Sequence, residues 1–135
     1  MADTSTPHSP GFLALVKDAK SRVREIDVQQ YRRMHDENRT HLLVDVREDN
    51  EWAAGHVKGA VHIGKGVIER DIEKLVPDKS MTLVLYCGGG YRSALAADTL
   101  QKMGYTNVLS LDGGWKALKV SGLPLAEGDA ADDAS

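Results

Sequence analysis

The residues with the clearest chemical potential lie in one short stretch, Tyr86-Cys87-Gly88-Gly89-Gly90-Tyr91-Arg92-Ser93, which holds the chain's single cysteine. A lone thiol is commonly an inert, small core hydrophobe. Here, however, three consecutive glycines follow it. They bring no side chains to cover the sulfur, and they let the backbone curl with its N–H groups pointing inward as an anion-binding concavity. A helix opening near Ser93 would aim its unpaired N–H groups and the positive end of its dipole at the same point, and Arg92 would add a full charge. An ordinary thiol is only a few per cent ionised at neutral pH. Making most of it thiolate takes about 2.7 kcal/mol of differential stabilisation. A helix terminus supplies ~1–2 kcal/mol of that and a neighbouring arginine the remainder. Cys87 is therefore expected to be a nucleophile in an anion cradle formed by Gly88, Gly89, Gly90, Tyr91, Arg92 and Ser93. A phosphate-binding loop would need G-x-x-x-x-G-K-[ST], which is absent.

Other polar residues call for structural partners. Asp45 closes an apolar run, where an unpaired carboxylate is costly, so Arg47 or Arg92 is expected beside it. Glu51 and Arg47 are expected to form an ion pair or cap that fixes the loop after that run. His56 and His62 with one cysteine make no zinc signature, so no metal is assigned and loop packing or a hydrogen bond is expected of both. Trp52 and Trp115 read as core aromatics, with Trp115, after Gly113-Gly114, placed to pack beside the cysteine loop and shape its mouth. Tyr91 either lines the rim or anchors the loop; Ser93 either caps the helix or donates to the bound anion.

Alternating strands and helices must position these groups. Leu42–Val46 and Met81–Tyr86 are nearly continuous apolar runs, the pattern of strands covered on both faces of a parallel sheet. Val57–Ile63 and Asn107–Leu111 read as shorter strands. Helices are expected over Val28–Met34 with Asp27 as N-cap, Asn50–Ala54, Val67–Leu75, and Ser93–Met103 closed by Gly104. A further helix, about 10–23, is suggested by Phe12, Val16, Ala19 and Val23 at helical spacing, as an appendage packed on the body. The pattern gives an α/β fold with a central parallel sheet flanked by helices, as one domain over residues 10–125. Ligands of such sheets bind at the carboxyl ends of the strands, where the cysteine loop falls. Residues 1–9 and 126–135, rich in Ala, Asp, Ser, Thr and Pro, are expected to be disordered tails.

Composition narrows the function. With 135 residues the chain suffices for one core, and a single cysteine excludes an internal disulfide. The formal charge is -3, yet Asp3, Glu127, Asp129, Asp132 and Asp133 lie in the tails, leaving 15 acids against 17 bases in the body. That balance does not suggest a nucleic-acid partner, which calls for a basic excess. No apolar run approaches the ~20 residues of a membrane span, and the N-terminus lacks a basic n-region, so a cytoplasmic protein without a membrane partner is expected.

Three segments in register carry a family resemblance. Cys87-x-x-Gly90-x-Arg92-Ser93 resembles the active-site loop of rhodanese-domain sulfurtransferases. Asp45-Val46-Arg47-Glu48 through Glu51-Trp52 and Gly55 to Ile63 is similar to the family's other signature, with His62 where an Asn is common. Leu111-Asp112-Gly113-Gly114-Trp115 resembles its C-terminal Gly-Gly-aromatic turn. The resemblance covers roughly Arg24 to Pro124 and implies a rhodanese-like fold with no cofactor and no metal. It also implies that Cys87 takes the outer sulfur of thiosulfate or a related persulfide donor, and passes it as a persulfide to a thiophilic acceptor such as cyanide or a thiol. Asp45, Arg47, Glu51 and Trp115 would support the loop. A protein donor or acceptor, making the chain a sulfur relay, is the alternative, because Gly88 and Gly89 supply no basic loop side chains. A cysteine-dependent phosphatase or arsenate reductase is disfavoured: those loops place five residues between Cys and Arg, and here four intervene. Cysteine-free relatives that serve as binding modules are set apart by the presence of Cys87.

Overall fold

The structure, a computed structural model, describes residues 8–128. Five strands, β1 (Arg24–Ile26), β2 (Leu42–Asp45), β4 (Val61–His62), β5 (Leu83–Tyr86) and β6 (Val108–Leu111), form a wholly parallel sheet in the order β1-β6-β5-β2-β4. Alternation along β2 and β5 sends side chains to two cores. Val44, Leu83 and Leu85 meet Ile68 and Ile72 of α4 (Ile68–Leu75) and Ala96, Ala97 and Leu100 of α5 (Tyr91–Lys102). Leu43, Val84 and Tyr86 meet Tyr31 and Met34 of α2 (Val28–Asp36), Trp52 of α3 (Asp49–Ala54) and Leu118 of α6 (Gly114–Leu118). Each fully buried Val, Leu or Ile among these contributes about 1.5–3 kcal/mol. The sheet is thus covered on both faces, as its apolar runs require.

Local signals worked where they were strong. Asp27 caps α2 by accepting from the Gln30 amide at 2.8 Å, in a reciprocal box. Gly104, at φ +102°, follows α5. Helix α1 (Pro10–Lys20) is capped by Ser9, packs on α5 through Val16 and Ala19, and is tied there by Arg22, whose guanidinium donates to Asp98 at 3.0 and 2.8 Å. It ends at Lys20 rather than near 23, and Val23 reaches the core from the turn that follows.

Two expectations need correction. The single strand expected over 57–63 is broken: Gly59, at φ +90°, turns the chain between β3 (His56–Val57) and β4. β3 leaves the main sheet to pair antiparallel with β7 (Leu125–Ala126). The C-terminal tail drawn from 126 therefore starts inside a strand, and Gly128 donates its N–H to Ala53 at 2.9 Å. At the other end, Ser9 belongs to the helix cap. The remaining tail assignments, 1–7 and 129–135, lie outside the described residues.

Candidate active site

Cys87 follows the last residue of β5, at the carboxyl edge of the sheet. The chain then turns through Gly90, at φ +103°, directly into α5, which opens at Tyr91 instead of Ser93. This earlier start brings the first amides of the helix around the sulfur. Cys87 Sγ accepts from the Gly90 N–H at 3.1 Å and the Ser93 N–H at 3.4 Å, and lies 3.5 Å from Ser93 Oγ. Two amides and a hydroxyl so converge on the atom that would carry negative charge.

The thiol is only 1% exposed, contrary to the expectation that glycines would leave it bare. Lacking side chains, they let the loop backbone itself close over the sulfur. Behind it, Ser93 Oγ is 2.8 Å from Ser110 Oγ, both fully buried. The thiol donates to Ser93 Oγ; on ionisation that bond reverses, Ser110 donating to Ser93 and Ser93 to Sγ. Ser93 does not cap the helix: it lies inside α5, whose N-cap is Gly90 with no side-chain cap bond. Ser110 was not foreseen; its signal is a hydroxyl in the otherwise apolar run Val108-Leu109-Ser110-Leu111.

A second turn clamps the loop from outside. The amide of Trp115 donates to the Cys87 carbonyl at 2.7 Å, and that of Lys116 to the Gly88 carbonyl at 3.2 Å. This approach requires Gly114, at φ +50°: a Cβ there would overlap the Cys87 carbonyl oxygen and sit 2.8 Å from the Gly88 carbonyl group. The Trp115 ring lies against Gly55 and under the Arg47 guanidinium, 4.8 Å from its centroid.

Of the two roles expected of Glu51, the cap forms and the ion pair with Arg47 does not. Asp45 and Arg47, 0% and 3% exposed, form a buried pair with Nη2–Oδ2 at 2.8 Å. The Arg47 backbone N–H also donates to Asp45 at 2.9 Å, and its Nη2 donates to the Gly55 carbonyl at 2.6 Å. Burial disfavours the Arg47 charge, but the hydrogen bonds and charge of Asp45 outweigh it and hold its pKa above the ordinary value. Glu51 does not pair with Arg47. It accepts from Arg92 at 2.8 and 3.2 Å, while its own carboxylate also caps α3 through the Glu48 N–H. The Arg92 fork holds the Glu51 carboxyl below the usual carboxylate range, and Glu51 in turn raises the Arg92 pKa. Arg92 remains beside the loop, 3.2 Å from the Cβ position of Gly88, but its charge is shared with Glu51.

Tyr91 points outward as an anchor: its ring makes an edge contact with His8 at 4.9 Å and lies 5.2 Å from Lys20 Nζ. Gly89, facing open space, forms the exposed part of the loop. His56 donates to the Trp52 carbonyl and stacks on its ring, and His62 donates to the Arg47 carbonyl, each at 2.8 Å. Both hold loops, as expected. Among the described residues no helix is long and apolar enough to cross a membrane.

A parallel α/β domain that ends its central strand in a cysteine clasped by helix-opening amides defines a class of thiol-bearing loop proteins. Within that class the sequence matches the rhodanese-like domain over residues 27–121, and the chain belongs to that family. It is 35% identical to the thiosulfate sulfurtransferase PspE of Escherichia coli over 63% of this chain and 78% of that protein. YqhL of Bacillus subtilis is 40% identical over 55% of this chain, and the match spans 57% of YqhL. Among solved structures, RPA3614 of Rhodopseudomonas palustris, described as a possible tyrosine phosphatase, superposes with a TM-score of 0.79 at 27% identity, over 90% of this chain and all of that one.

Proposed function

We propose that this chain is a sulfurtransferase in which Cys87 carries the sulfur as a persulfide. The observation that carries the reading is the convergence of the Gly90 and Ser93 amides on Sγ. The Cys87 thiolate attacks the outer sulfur of thiosulfate or a related donor; the donor S–S bond breaks, and sulfite leaves with the electron pair. The new terminal sulfur bears the negative charge, and the loop amides from Gly88 to Ser93 stabilise it. Cyanide or a thiolate then attacks that sulfur, forming thiocyanate or an acceptor persulfide and returning the Cys87 thiolate. Sulfite is a weak base, so its departure needs no general acid.

The engagement of Arg92 by Glu51 favours a second form of the same chemistry, a relay whose donor or acceptor is a protein, because less free positive charge remains for the thiosulfate dianion. The four-residue spacing from Cys87 to Arg92 and the closed loop over Sγ argue against phosphoryl transfer, whose tetrahedral group needs a wider cradle. A reducing compartment, the cytoplasm, suits a free thiol of this kind.

Intact-mass analysis after incubation with thiosulfate, followed by cyanide, tests the proposal. Gain of one sulfur atom on Cys87, then its loss as thiocyanate appears, is expected, and Cys87→Ser abolishes both. Hydrolysis of an aryl phosphate without any sulfur adduct from thiosulfate or a persulfide donor overturns it.

A further inference from the structure

At the amino ends of the strands, the edge opposite Cys87, lies a cavity of about 270 Å³. The length of β5 separates the two, roughly 16 Å of extended chain from Thr82 to Cys87. Three arginines line this cavity: Arg24 from β1, Arg33 from α2 and Arg39 from the turn before β2. Among the described residues none of the three guanidinium groups forms an ion pair or hydrogen bond, whereas Arg22, Arg32, Arg47, Arg70 and Arg92 all do. One carboxylate, Glu37, shares the cavity, leaving an excess of positive charge. Arg33 has a use in the fold, since it sits in the last turn of α2, where a cation complements the dipole. Arg24, exposed on the edge strand β1, also guards that edge, but Arg39 has no such use, and crowding unpaired like charges opposes folding.

We propose that this cavity is a binding site for a small phosphomonoester, separate from the cysteine loop. Guanidinium forks match phosphate oxygens bidentately, and three from different elements enclose a tetrahedral dianion better than a flat surface does. Thr82 and Asn107, joined by a 2.5 Å hydrogen bond from Asn107 Nδ2 to Thr82 Oγ1, add polar groups at the strand ends. Met34 and Leu109, nearly buried, give the cavity an apolar floor suited to a compact organic group. The volume, just below the usual range of small-molecule sites, fits a ligand of mononucleotide size.

The test is a titration of the isotopically labelled full chain with inorganic phosphate, with AMP, and with sodium chloride as an ionic-strength control, followed by amide NMR. Saturable shifts at Thr40, Thr82 and Asn107 are expected, with AMP tighter than phosphate and chloride without effect. Arg33→Gln and Arg39→Gln, both at exposed positions, should each weaken AMP by about tenfold. Arg70→Gln, remote from the cavity, should leave it unchanged, and sulfur loading of Cys87 should survive in every variant. Absence of saturation, equal affinity of phosphate and AMP, undiminished binding in the Arg33 and Arg39 variants, or tighter binding of a single-stranded RNA oligomer than of AMP would each overturn the assignment.

Discussion

Replacing Gly114 by alanine should uncouple the cysteine loop from its outer clamp, and the cost can be worked from the geometry. At φ +50° an alanine meets the left-handed region at about 1–2 kcal/mol. Its Cβ would also overlap the Cys87 carbonyl oxygen and lie 2.8 Å from the Gly88 carbonyl group, which is backbone and cannot swing aside. Such overpacking costs a further 1–3 kcal/mol or so. The sum, about 2–5 kcal/mol, is a large share of a small domain's stability and corresponds to a fall in Tm of roughly 5–20 °C. Relief of the clash moves Cys87 and Gly88 away from the Trp115 and Lys116 amides, and with them Sγ from the amides that clasp it. Sulfur loading by thiosulfate or a persulfide donor, followed by single-turnover mass analysis at a temperature where the variant stays folded, should therefore slow by at least about tenfold, because positioning errors near an ångström are costly. Gly89→Ala in the same loop is the matched comparison: its φ is not positive and its Cβ would face open space. Stability should stay within about 0.5 kcal/mol of the parent chain, as for ordinary surface changes. A Gly114→Ala protein with unchanged Tm and loading rate, or a Gly89→Ala protein equally damaged, would refute the reasoning.

Ser110→Ala removes the hydroxyl that orients Ser93, and loading should slow by about three- to tenfold, the worth of roughly one hydrogen bond, with the fold intact by circular dichroism. Arg47→Met strands the buried Asp45 carboxylate, so urea unfolding should show a loss of about 3–5 kcal/mol. The Glu51 carboxyl is held low chiefly by Arg92, so its stabilising contribution is complete above the ordinary carboxylate value and lost as pH falls through the lower, folded one. Because both side chains are partly exposed, the stability difference between the parent and Glu51→Gln should be only about 1 kcal/mol at pH 7 and should vanish once acidification has passed the lowered carboxyl value. The same variant frees Arg92, and thiosulfate KM should fall by a few-fold while the persulfide-donor rate changes little.

Much of this architecture was legible before any coordinates. The apolar runs at 42–46 and 81–86 announce buried parallel strands because a strand covered on both faces has no polar side to show. Asp27 and Gly104 mark helix ends through backbone chemistry that acts within a few residues. Cys87 followed by three glycines and Arg92 points to an anion-binding loop for the same local reason. The two-residue strands β3 and β7 escaped because neither is long enough to display a period, and each exists only by pairing with the other across about 70 residues of chain. Partner choice was also beyond reach. Whether Glu51 would meet Arg47 or Arg92 depended on α3 facing the start of α5, a relation set by sheet order rather than by spacing in sequence.

The sequence by itself determined the layered α/β class, the family, and the thiol on which the proposed chemistry rests, because each is written in short-range pattern. Tertiary packing decided how that thiol is presented. It closed the loop over Sγ, brought Ser110 from β6 behind Ser93, and pressed Gly114 of a distant turn against the Cys87 carbonyl. The last two of those contacts join residues from separate elements, and only a folded sheet that places β5 beside β6 brings them within bonding distance.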